Sequence, residues 1–328
     1  MQNLVSKEML MVITAIVPSF AIAFIGYLLG RWDRSVHQKT VSNLIYYLFS
    51  PCLIFSSLHK RAFDLREFTI IGAAVLFLIA AMLPLAAFFK KRAGVRERGY
   101  YLPIIFMSTG TLSLPISLLL YGSEGLAKAV MFHMVNILVL YSFGGYLVSG
   151  SASLLQILKI PALTATVLGI ADSQLPFTNG IGELSQLLVM LERIVEVVGF
   201  GAIPLLILSF GYSLNESNPS DMKDGITGGL LKIVGGPALA FVLIYLLRAT
   251  GIMPVAQGMD VLKHLDFRTT EAVIILNAAM PGPIMAYLLN VKFDNCPQKA
   301  AAMLTMGTLG GILTIPLVLQ LINLFIFK

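Results

Sequence analysis

Charge is scarce in this chain. Only 12% of its 328 residues are Asp, Glu, Lys or Arg, about half of what a soluble globular domain carries, and that shortage excludes an ordinary water-soluble fold. Cysteine is scarcer still: Cys52 and Cys296 make neither a disulfide framework nor a metal-binding spacing. No basic stripe interleaved with aromatics lies outside the apolar runs, so nucleic acid is not an expected partner. HExxH, GxSxG and phosphate-loop patterns are missing, as is any Asp pair within the apolar runs. The expectation is therefore a protein that is not an enzyme and that carries no metal and no cofactor.

What is present is apolar surface. Hydrophobic residues make up 57% of the chain, and the mean hydropathy is +0.85. The fold class that fits is an all-α polytopic membrane protein whose first partner is the lipid bilayer. A span needs roughly 20 apolar residues, and runs of that kind fall at 9–30, 41–58, 68–89, 100–121, 127–148, 155–174, 191–214, 227–247, 271–290 and 300–327. Phe68–Phe89 and Ala300–Phe327 hold no charge at all. The first run lacks a small-residue cleavage site and reads as a retained span. Ile181–Val198 carries Glu183, Glu192, Arg193 and Glu196, which suits an interfacial helix or an overlong helix start. Glu192 and Glu196, one turn apart, read as an exposed helix end, the alternative being a pair that takes protons or cations.

Two stretches do not read as continuous helix. In Ser108-Thr109-Gly110-Thr111-Leu112-Ser113-Leu114-Pro115, Gly110 weakens the helix and Pro115 removes a backbone donor. In Asn277-Ala278-Ala279-Met280-Pro281-Gly282-Pro283, two prolines flank a glycine. Backbone left unpaired in hydrocarbon costs several kcal/mol, so two breaks at membrane depth need a reason. The chain also reads as duplicated, with halves 1–150 and 151–328 of five runs each. Pro51-Cys52-Leu53-Ile54-Phe55-Ser56 recurs as Pro204-Leu205-Leu206-Ile207-Leu208-Ser209, and Pro115-Ile116 has its counterpart in Pro283-Ile284. An odd number of crossings per half inverts the second copy, and inverted repeats with matching broken helices point to a secondary transporter.

The formal charge of +6 fits basic loops facing an anionic leaflet and favours an anionic substrate. With both termini outside, the inside loops hold thirteen of the 23 Lys and Arg residues, dominated by Lys90, Lys91, Arg92, Arg96 and Arg98. A bacterial cytoplasmic (inner) membrane with both ends outside is the expected placement.

The chain resembles the auxin efflux carrier family, whose bacterial members include malonate-type transporters and whose plant relatives export auxin. The resemblance covers nearly the whole chain. It rests on Pro18 through Gly30 followed by Arg31, on Leu44 through Leu58 with central Pro51, and on Ser108-Thr109-Gly110 with Leu114-Pro115. Ala202-Ile203-Pro204 leading to Ser209-Phe210-Gly211, and Asn277-Ala278-Ala279-Met280-Pro281, complete it. It implies a bile-acid-symporter-like and NhaA-like elevator fold. Helices 1, 2, 6 and 7 would form a scaffold that often dimerises, and helices 3–5 and 8–10 a moving unit where broken helices 4 and 9 cross. The Asn-Pro pair of the plant members before the fourth-helix break is absent; Ser108-Thr109 and Pro115 stand there.

A broken helix points free N–H groups into the gap, so two facing half-helix ends make an anion site without a buried cation. The expected substrate-binding set is Ser108, Thr109, Gly110, Thr111, Pro115, Asn136, Asn277, Met280, Pro281, Gly282 and Pro283. His133 lies three residues from Asn136 on one helical face and is the candidate to carry a coupling proton. Pro51 and Pro204 are expected to loosen helices beside the site, letting Ser50 or Ser209 face the moving unit. For each of these residues the plainer alternative is a kink or a packed polar group. Glu271, at the head of the ninth run, reads as a helix-capping carboxylate. The expected activity is secondary transport of mono- or dicarboxylates. A sodium-coupled symporter of bile-acid type is the alternative, and a receptor on a transporter fold is a third class.

Overall fold

The computed structural model describes residues 17–18, 21–33, 35–59, 64–150, 161–174, 183–213, 215, 222–253 and 267–327. The starts of the expected runs at 9 and 155 lie outside that set. Among the described residues there is helix and no strand. Among the described residues, four helices are long and apolar enough to cross a membrane: Leu65–Arg92, Leu114–Ser149, Lys223–Ala249 and Pro297–Phe327. Their outer faces carry side chains such as Leu313 and Tyr245 at 78% and 72% exposure, as a lipid-facing surface requires. The protein is thus an integral, polytopic, all-helical membrane protein.

In chain order the elements are α1 (Ala21–Trp32), α2 (38–58), α3 (Leu65–Arg92), α4 (Leu102–Ile105), α5 (Leu114–Ser149) and α6 (Pro161–Gln174). They continue with α7 (Glu183–Ser213), α8 (Met222–Ala249), α9 (Phe267–Ala278), α10 (Ile284–Lys292) and α11 (Pro297–Phe327). Helix α7 begins well before the expected 191, so the charged Ile181–Val198 stretch is its overlong first half where described. At 36 residues, α5 as one rod would run about 54 Å, far beyond a hydrocarbon core of about 30 Å. Gly122 divides it: its φ of 66° and ψ of −161° are not helical. Only a residue without Cβ takes that conformation readily.

The prolines act less simply than the sequence suggests. Pro84, Pro204, Pro237 and Pro316 all sit inside uninterrupted helices. Pro51 and Pro115 each stand at the start of an α-helical stretch that follows a π turn, Ile45–Phe49 and Thr109–Ser113 respectively. A π turn shifts the carbonyl pairing by one residue, as where Ser50 N–H donates to the Ile45 carbonyl just ahead of Pro51.

The helices pack in two groups. Helix α2 lies against α6 and α7, and Asn215 just past α7 donates through Nδ2 to the Tyr27 carbonyl of α1 at 2.9 Å. The other group is α3, α4, α5 and α8–α11, with α8 packed most extensively on α11. The groups meet where α7 and α2 touch Thr109–Ser113 and α5.

Ion pairs tie the second group at its ends. Glu67 in the first turn of α3 pairs with Lys128 of α5 at 2.7 Å, and Thr270 at the head of α9 donates to Glu67 at 2.6 Å. Asp224 in the first turn of α8 pairs in the same manner with Lys299 at the head of α11.

Candidate functional site

The first interruption is three residues long. Helix α4 stops at Phe106, which is extended at φ −98° and ψ 158°. Ser108 follows at φ −76° and ψ 67°, and Thr109 N–H donates to the Met107 carbonyl at 2.9 Å. That is an inverse γ-turn. Helix resumes at Thr109 with no side-chain cap from Ser108, so the N–H groups that follow Thr109 have no intrahelical partner and form a partly positive end.

Asn136 of α5 holds the exposed backbone of this turn. Its Nδ2 donates to the Met107 carbonyl at 3.0 Å and to Thr109 Oγ1 at 3.3 Å, and its Oδ1 accepts from Met107 N–H at 3.5 Å. Thr109 Oγ1 also meets His133 Nδ1 at 2.7 Å. Thr109, His133 and Asn136 are all buried. In a low-dielectric site such a network is worth keeping whole, because each orphaned member is costly.

The second interruption is made differently. Helix α9 closes with Ala279 N–H donating to Ile275 and Leu276 carbonyls and Met280 N–H to Asn277. Pro281 and Pro283 bring no N–H, which leaves few donors to satisfy. The Pro281 carbonyl accepts from Ser108 N–H at 2.8 Å, so the two breaks are bonded to each other, backbone to backbone. Gly282 lies so close to α4 that a Cβ there would sit 2.5 Å from the Pro103 carbonyl oxygen.

A cavity of about 140 Å³ opens beside this crossing. One wall is the start of each second half-helix: Ser108, Thr109 and Gly110 on one side, and Pro283, Ile284 and Met285 on the other. His133 and Asn136 close its polar end. The facing wall comes from the other helix group, with Ser50 and Ile54 of α2 and Leu206 and Ser209 of α7. Most remaining lining residues are aliphatic. The arrangement suits a small guest with one polar end and an apolar body.

Of the residues expected at the site, the cavity therefore gathers Ser108, Thr109, Gly110, His133, Asn136 and Pro283. Met280, Pro281 and Gly282 are buried in the crossing and do not line it. Asn277 is spent elsewhere: Nδ2 donates to Val273 at 2.8 Å and Oδ1 accepts from Ser113 Oγ at 2.6 Å. Asn136 likewise uses its amide on the broken backbone. Pro115 is buried seven residues past the interruption, inside resumed helix. Pro51 and Pro204 are off the cavity wall, while their neighbours Ser50 and Ser209 are on it. The Thr111 side chain lies outside what the structure describes.

Sequence reading missed the buried basic groups. Lys232, one of the thirteen Lys and Arg residues assigned to inside loops, lies within α8 at 1% exposure. Its Nζ makes no hydrogen bond among the described residues, and it approaches the α9 end of the second break. A Cβ at Gly236 would meet both the Ala278 carbonyl oxygen at 2.2 Å and Lys232 Nζ at 3.5 Å. Lys128 is buried too, so each side of the charge tally loses one residue. Glu271, expected as a simple cap, is an ion-pair partner of Arg248, whose Nε donates to it at 2.8 Å. Buried Lys or Arg among leucines was the available signal.

Residues 11–159 match the model of a family described as membrane transport protein. An uncharacterized transporter of Methanothermobacter thermautotrophicus is 24% identical over 327 residues, covering 95% of this chain and 96% of the relative. An uncharacterized transporter of Methanocaldococcus jannaschii is 22% identical over 301 residues, 87% of this chain and 89% of that protein.

Proposed function

We propose that the chain is a membrane transport protein of the auxin efflux carrier kind, as its match to that family's model over residues 11–159 and its two transporter relatives support, and that it moves small organic anions across the membrane by alternating access. The observation that carries this reading is the cavity. It is bounded on one side by the first residues of two broken half-helices and on the other by a separately packed helix group. Bare N–H groups at a helix start favour a carboxylate, and the aliphatic remainder favours a guest with an apolar body. Lys232, when protonated, adds positive charge beside the crossing.

In this reading α1, α2, α6 and α7 are the scaffold, and α3, α4, α5 and α8–α11 the carrier unit that slides past it as an elevator. The chain then makes ten crossings as two inverted halves, 1–150 and 151–328. The like placement of Glu67–Lys128 and Asp224–Lys299, each joining the third helix of a half to its fifth, supports the duplication. Self-association through the scaffold, an inner-membrane location and outward-facing termini belong to the same proposal.

The test is binding and flux with the purified full-length protein. Thermal unfolding with a panel of mono- and dicarboxylates should show a raised midpoint for one class, and proteoliposomes should take up the same class. No stabilisation and no flux for any organic anion would sink the reading. Uptake that requires sodium would favour the bile-acid-type alternative instead.

A further inference from the structure

Away from the cavity, within the first helix group, four ionisable side chains converge. His59 closes α2, Asp172 lies in the last turn of α6, and Glu192 and Glu196 stand one turn apart on α7. His59 is 7% exposed and Asp172 2%. The imidazole is held in place: its ring stacks on Phe55 at 5.0 Å, and Nδ1 lies 3.3 Å from Asp172 Oδ2. Its Nε2 makes no hydrogen bond among the described residues and points to Glu196 Oε1 at 3.6 Å. Donor atoms of His59, Asp172 and Glu192 all lie within 4.8 Å of one another.

A separation of 3.6 Å is too long for a hydrogen bond to a ring nitrogen. It is the spacing of two ligands that share one ion, since tetrahedral bonds of about 2.0–2.2 Å set ligand atoms about 3.3–3.6 Å apart. A carboxylate on Nδ1 with an open Nε2 is also how metal-binding histidines are oriented, because the second-shell acceptor fixes the tautomer and aims the lone pair.

We propose that His59, Glu192 and Glu196, with Asp172 behind the imidazole, form a binding site for a divalent first-row transition-metal ion such as zinc or manganese. Imidazole with carboxylates and no thiolate is the donor set such ions take. Glu196 keeps 23% side-chain exposure, which leaves a path for the ion to enter. The ion joins α2 to α7 directly and draws in α6 through Asp172, so it acts as a clip on this helix group. The inference stands whether or not the cavity carries an anion.

Full-length protein stripped with EDTA and desalted is titrated with ZnCl₂ or MnCl₂, reading metal content by mass spectrometry and the unfolding midpoint in parallel. One retained ion per chain and a raised midpoint are expected, with MgCl₂ giving neither. Glu192→Gln keeps the shape of a half-buried side chain and should weaken binding by roughly tenfold or more, as should His59→Asn. Wild-type protein that retains no stoichiometric ion overturns the proposal. So does a Glu192→Gln variant with wild-type affinity, which decides the matter even if His59→Asn does not fold.

Discussion

The two interruptions are bonded to each other yet are built from opposite materials. The first, Phe106–Ser108, is satisfied by side chains: Asn136 bonds the Met107 backbone, and Thr109 links that amide to His133. The second, Ala279–Pro283, is satisfied by omission and contact. Its prolines remove donors, and Gly282 lets the chain rest directly on Pro103. The first break thus presents polar groups and a bare helix end to the cavity, whereas the second supplies the rigid surface against which the first is set.

Substitutions should separate these roles. The largest effect belongs to Gly282→Ala. The new methyl would lie 2.5, 3.0 and 3.1 Å from the oxygen, Cα and carbonyl carbon of Pro103, all backbone that cannot swing aside. Overpacking of this kind costs about 1–3 kcal/mol and sometimes more, and both thermal stability and transport should fall. Unchanged flux would mean that the crossing tolerates separation. Asn136→Ala comes next. It removes the acceptor of the buried Met107 N–H, at about 1–3 kcal/mol for a group left unsatisfied, while the Met107 carbonyl keeps its bond from Thr109 N–H. Stability measured by thermal melt should drop, and transport with it. A melt identical to the wild type would show that water replaces the amide without loss.

Lys232→Met is expected to move stability and function in opposite directions. Removing a buried amine that has no hydrogen-bond partner among the described residues should raise stability by on the order of 1 kcal/mol. Anion transport should nevertheless fall, because the positive charge beside the second break is gone. Equal flux in variant and wild type would leave that break with a purely mechanical part.

How far the sequence disclosed this is instructive at particular residues. Both interrupted stretches were legible, because Gly and Pro clusters among aliphatics are costly in hydrocarbon. The position of the first break was not. Attention fell on Pro115, yet a π turn re-pairs the backbone ahead of that proline, and the chain opens instead at Phe106-Met107-Ser108, which contains no breaker. What opens it is the distant Asn136 amide and the Pro281 carbonyl, partners no local pattern reveals. The His59–Asp172–Glu192 cluster was hidden for the same reason, its members being separated by whole helices. Asn277 looked available because its bond to Ser113 spans 164 positions.

The smallest effect, and the sharpest test of which break meets the guest, is Gly110→Ala. A methyl here would meet His133 Cε1 at 3.0 Å, the edge of a side chain able to shift by a few tenths of an ångström. Against that small cost stands the gain from replacing glycine inside helix, roughly 0.5–1 kcal/mol, so the melting midpoint should hardly move. Yet Gly110 lies on the cavity wall at the uncapped helix start, where a methyl would hold a carboxylate off the bare N–H groups. Carboxylate affinity should therefore fall several-fold in a protein of wild-type stability. Affinity left intact would shift the contact to Pro283–Met285, and the polar break would then be the support and the proline break the site.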